Sequence, residues 1–131
     1  MKERGSLDIG LENGAGDEEF NGRLAEGLPR VWAHRPDIVL YQAGADPYED
    51  DQLGALRLTI EGLVARDRLV LNGCAEHRIP AVVTLGGGYA RRVSDTVRIH
   101  QNTCELAMEL ASGGEHRPRA AGPTSGTAGA R

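Results

Sequence analysis

Residues 37–54 read DIVLYQAGADPYEDDQLG, and residues 81–92 read AVVTLGGGYARR. Each is an apolar run that breaks into small residues and then into a side chain able to do chemistry. In the first, Gly44 and Ala45 precede Asp46, a carboxylate suited to ligating a metal or carrying a proton. In the second, three glycines precede Tyr89, whose phenol is a neutral donor suited to a developing oxyanion. Glycine costs roughly 0.5–1 kcal/mol more than alanine inside a regular element. Three in a row therefore mark either a slack loop or backbone that something must approach closely. Each residue also has a plainer reading. Asp46 fits a turn aspartate bonding its own loop amides, and Tyr89 fits a partly buried aromatic with a satisfied hydroxyl. Glu49, Asp50 and Asp51 make the first loop acidic and read as a solvated face.

The elements around these loops alternate. ENGAGDEEF is a turn and a helix start, with Asp17 placed to cap and Glu18 and Glu19 at the positive end of the dipole. Phe20, Leu24, Leu28, Val31 and Trp32 follow at helical spacing; Pro29 is expected to kink or restart this helix, and Pro36 to end it. A strand over about Asp37–Ala43 comes next, then a helix capped by Thr59 and running to about His77. Ile60, Leu63, Val64, Leu71 and Cys74 lie on its apolar side. IPAVVTL supplies a second strand, to Leu85, and Ser94 or Asp95 opens a third helix that ends near Ala111. Its broad face carries Val97, Ile99, Thr103, Leu106 and Leu110. This order predicts an α/β fold with a parallel sheet and helices on both faces. Both strand ends then fall on one rim of the sheet, where open α/β sheets bind ligands. Two strands are few for such a sheet, so either SLDIGL hides a third or the chain is part of something larger.

The chain has 131 residues, enough for one domain. Its net charge of -4 and pI near 5.5 offer no electrostatic footprint for nucleic acid. No apolar stretch is long enough to cross a membrane, and MKERGSLD lacks the apolar core of a signal peptide. Cys74 and Cys104 read as buried free thiols of a cytoplasmic protein. Residues 112–131 are almost free of large apolar side chains and are expected to form a disordered tail.

Taken together, DIVLYQAGADPYEDDQLGALRLTIEGL and IPAVVTLGGGYARRVSDTVRIH resemble the C-terminal half of the histone deacetylase family, nearest its class IV-like and bacterial branch. The resemblance runs from about SLDIGL to Leu110. It implies part of a three-layer α/β/α parallel sheet, the C-terminal part of an arginase–deacetylase fold, over residues 1–111. It implies zinc as cofactor and an acyl-lysine or other N-acyl amide as substrate. Asp46 matches a zinc-ligating aspartate, and Tyr89 the tyrosine that donates to the scissile carbonyl. Leu53 matches a leucine of the acyl-lysine tunnel, and Gly87 and Gly88 the backbone beside the acetyl group.

The family also uses an Asp-x-His and an adjacent histidine pair. No Asp-x-His occurs in this sequence, and His34, His77, His100 and His116 are isolated. The chain is therefore expected to be a fragment, inactive alone, binding zinc weakly and prone to self-association through an exposed sheet edge. Two other readings stand beside this one. One is a non-catalytic interaction module. The other is a phosphate- or nucleotide-binding domain using the Gly86–Gly88 loop, although LGGGYARR lacks both the third glycine of a dinucleotide fingerprint and the lysine of a P-loop.

Overall fold

The computed structural model describes residues 5–114. Five elements follow in order: α1 (Asp17–Ala33), β1 (Val39–Gly44), α2 (Ile60–His77), β2 (Ala81–Gly86) and α3 (Val93–Gly114). The two strands pair in parallel, with Val39 opposite Ala81 and Gly44 opposite Gly86. SLDIGL forms no strand; instead Leu7 and Ile9 lie over Gly27 of α1. α3 runs three residues past the expected end at Ala111, and the rest of the expected tail lies outside the described residues.

Local signals explain most boundaries. Thr59 caps α2 as its spacing predicts, its hydroxyl accepting the Gly62 N–H at 2.9 Å. Asp17 does not cap α1. Gly16 holds that position, and the Asp17 carboxylate instead accepts from the Thr59 N–H at 2.8 Å and its hydroxyl at 2.7 Å. One acid thereby ties the start of α1 to the start of α2. Pro29 lies inside α1 without ending it. At the other end of this helix pair, Trp32 lies over Gly73 and stacks on His77 with ring centroids 5.0 Å apart.

α1 and α3 both pack on α2, and α2 packs on β1. Tyr41 faces this helix layer. On the opposite face Leu40 is 74% exposed and Val82 44% exposed. Of the two outer layers expected, the described residues build one, so the expectation of helices on both faces is corrected. The apolar character of both strands had suggested two covered faces, but coverage depends on what else is present, not on the strand's own composition.

A hydrophobic core cluster lies under the loops that follow the strands. Ala45, Tyr48, Leu58, Leu63, Ala90 and Ile99 form the core, with Phe20, Leu56 and Ile60 packed against it. Beside it runs a buried polar chain. The Arg66 guanidinium donates through Nε to Asp67 at 2.9 Å and through Nη1 to the Gly44 carbonyl at 2.6 Å. The Asp67 carboxylate also accepts from the hydroxyls of Tyr41 and Thr103, both at 2.5 Å. Both Arg66 and Asp67 are buried. Cys74 is buried as expected, and burial pushes its thiol up. Cys104 is exposed, because it falls on the solvent side of α3.

Candidate functional site

Because β1 and β2 run parallel, the loops that follow them leave the same rim of the sheet. Asp46 is two residues past Gly44 and is exposed. Its carboxylate occupies the space where a Cβ on Gly87 would stand. Gly87 has φ 66° and Gly88 φ 103°, backbone that favours glycine. The Gly88 position is filled in turn by the Thr96 side chain, whose hydroxyl donates to the Gly88 carbonyl at 3.2 Å. Within this chain, then, the glycine run lets one acidic side chain and one threonine press against the backbone leading to Tyr89. Tyr89 is 55% exposed, and Leu53 is 73% exposed.

Asp51, read from sequence as part of a solvated acidic face, is instead 6% exposed. Its Oδ1 accepts the N–H groups of Leu53 and Gly54, both at 2.8 Å, and its Oδ2 accepts the Tyr89 N–H at 2.9 Å. Burying a carboxylate is costly unless it is hydrogen-bonded, and three amide donors satisfy it. The signal was available: an aspartate three residues before a glycine is a turn pattern in which the side chain bonds the next amides. Asp50 pairs with Arg91 at 3.2 Å across the same two loops, in an exposed geometry. Arg66 and Asp67 were also missed, since charge on a helix normally reads as solvated.

A cavity of about 420 Å³ opens beside Asp46. Its walls include Phe20, Leu24, Gln42, Arg66 and Gly87, whereas Tyr89 and Leu53 do not border it. Among the described residues, no group of three or more His, Cys, Asp or Glu side chains is placed to hold a metal ion. A catalytic zinc takes about three protein ligands and leaves one position open. Asp46 can be one of them, so the described residues do not by themselves fit a zinc centre. Among the same residues, no helix is long and apolar enough to cross a membrane.

A parallel α/β rim carrying an aspartate and a tyrosine on facing loops is the setting in which the family match falls. The histone deacetylase domain matches residues 2–104, and this chain belongs to that family. It is 40% identical over 111 residues to an uncharacterized protein of Picosynechococcus sp., covering 84% of this chain and 37% of that one. It is 32% identical over 94 residues to histone deacetylase 2 of Arabidopsis thaliana, covering 68% of this chain and 24% of that one. The fold is similar to that of acetylpolyamine aminohydrolase from Burkholderia pseudomallei, with a TM-score of 0.67 and 20% identity. That likeness covers 79% of this chain and 29% of the other. The chain thus spans about a quarter to just over a third of the length of these relatives.

Proposed function

We propose that this chain contributes part of the site of a zinc-dependent deacetylase that hydrolyses N-acyl amides of the acetyl-lysine type. In this reading Asp46 is one metal ligand, and the remaining ligands and the acid/base groups come from outside the residues described. Tyr89 donates its hydroxyl to the amide carbonyl oxygen as charge builds on it, an interaction strongest where water is excluded. Leu53, Gly87 and Gly88 line the path of the acyl group. Residues 1–111 form the deacetylase-type unit, and the proposed compartment is the cytoplasm, where free thiols such as Cys74 and Cys104 persist.

The observation that carries the proposal is the seating of the Asp46 carboxylate against Gly87, two residues before Tyr89, in a chain of this family. The same seating weighs against phosphate binding at the glycine loop. A carboxylate stands where the anion would approach, and Asp51 already takes the Tyr89 N–H. The non-catalytic reading, a module that associates through its open sheet, draws on the exposed Leu40 and Val82 face.

The test is deacetylation of an acetyl-lysine peptide with zinc present. The chain alone should be inert. The chain mixed with the N-terminal half of a relative should turn over, and Asp46→Ala or Tyr89→Phe should abolish that turnover. Turnover by the mixture that survives Asp46→Ala would sink the proposal. No turnover from a mixture shown to associate would favour the interaction module.

A further inference from the structure

We propose that Asp51 is a positioning residue that makes the Asp46 loop and the Tyr89 segment move as one unit, so that events at Asp46 set the order of Tyr89. Its bearing on amide hydrolysis rests on the deacetylase reading, whereas the coupling itself stands on geometry.

The two oxygens of Asp51 face different loops. Oδ1 closes the turn at Leu53 and Gly54, and Oδ2 holds the N–H of Tyr89. Both ends of this tie reach the site. Gly54 lies against the Asp46 backbone carbonyl with no room for a Cβ, so the turn that Oδ1 closes rests directly on Asp46. The amide that Oδ2 holds belongs to the residue carrying the phenol. Charge-assisted bonds of this kind are roughly twice as strong as neutral ones, and breaking one leaves a donor without its partner.

The neighbouring bonds complete the clamp without replacing it. The Gln52 N–H and its Nε2 both donate to the Tyr89 carbonyl, at 3.1 Å and 3.0 Å. The Arg91 N–H donates to the Asp50 carbonyl at 3.2 Å, and Asp51 and Ala90 form an antiparallel bridge. Tyr89 is therefore held by its N–H and its carbonyl, with its ring left as the exposed part. The ring can turn while the backbone that aims it stays fixed to the Asp46 loop. Among the described residues, Asp51 is the carboxylate that bonds Tyr89 itself to the Asp46 loop, while the exposed Asp50–Arg91 pair joins the same loops two residues further on.

Amide hydrogen exchange followed by NMR on the full chain tests this. In the wild type, the Leu53, Gly54 and Tyr89 amides should open together, with one dependence on denaturant. Asp51→Asn keeps the side chain's size but removes one acceptor. In that variant the Tyr89 amide should exchange at least about tenfold faster. The Val70 and Leu71 amides in α2 should keep their protection. Asp46→Ala should shift the Tyr89 amide resonance in the wild-type background and leave it unmoved beside Asp51→Asn. A purely structural role would instead lower α2 protection and preserve that shift. Unchanged Tyr89 exchange in Asp51→Asn, or a shift that persists there, overturns the proposal. Should Asp51→Asn not fold, the wild-type data decide: three amides with different denaturant dependences overturn it. Failure of the deacetylation assay would leave all of these readouts intact.

Discussion

The Asp51 carboxylate and the Tyr89 N–H, 38 residues apart in sequence, meet at 2.9 Å and join the loops that follow the two strands. The exposed ends of those loops, Asp46 and the Tyr89 ring, therefore stand on a braced base while contributing little to the brace.

Removing them should cost little stability. Asp46→Ala and Tyr89→Phe are each expected to change unfolding free energy by no more than about 0.5 kcal/mol, the usual range for exposed positions. Urea denaturation of both variants checks this. A loss several times larger for Tyr89→Phe would make its phenol a structural group.

Gly87→Ala should behave differently. The added Cβ meets the Asp46 carboxylate at a backbone angle that L residues rarely adopt. Strain of that kind costs about 1–3 kcal/mol. The denaturant midpoint should fall with little change in slope, and Asp46→Ala added to it should recover part of the loss.

Asp67→Ala is expected to be the most damaging substitution in α2. It leaves the buried Arg66 guanidinium without its carboxylate and strips the Tyr41 and Thr103 hydroxyls of their acceptor. Orphaning one partner of a buried ion pair costs about 3–5 kcal/mol, against a total stability of about 5–15 kcal/mol for a typical domain. Thermal melting followed by circular dichroism should show a midpoint well below that of the wild type. A melt close to that of the wild type would mean the pair contributes little.

Stability should fall in alkali. Burial, above all, pushes the Tyr41 phenol far up, with Arg66 opposing and Asp67 adding. Burial and then the hydrogen bond to Asp95 raise Tyr48. The folded chain keeps these two protons where an unfolded tyrosine, titrating near 10, has lost them. The contribution is complete below about pH 10 and is lost as pH rises, at up to ~1.4 kcal/mol per pH unit for each tyrosine. Tyr41→Phe and Tyr48→Phe should each flatten the slope measured by urea unfolding between about pH 9 and 11.

The strands and helices were legible because each announces itself locally. VLYQAG and AVVTLG are short apolar runs bounded by Pro and Gly, and Thr59 is a cap by its position alone. Asp46 and Tyr89 stood out because strand ends are where a parallel fold places its chemistry. The buried Arg66–Asp67 pair was harder to read, since burial of a charge is decided by partners distant in sequence. Arg66 finds Gly44 22 residues away, and Asp67 finds Thr103 36 residues away. Neither separation leaves a periodic trace. Asp17 misled for the same reason: its local context offers a cap, while the Thr59 amide, 42 residues on, takes its carboxylate.

Trp32 is the one tryptophan in the sequence, and it sits at the seam where α1 meets Gly73 and His77 of α2. Its emission is therefore an optical gauge of how those two helices are docked, recorded away from the strand-end loops. Global unfolding should quench or shift that signal. A change confined to Asp51 and Tyr89 should leave it steady, so a single fluorimeter trace separates loss of the domain from loosening of its working rim.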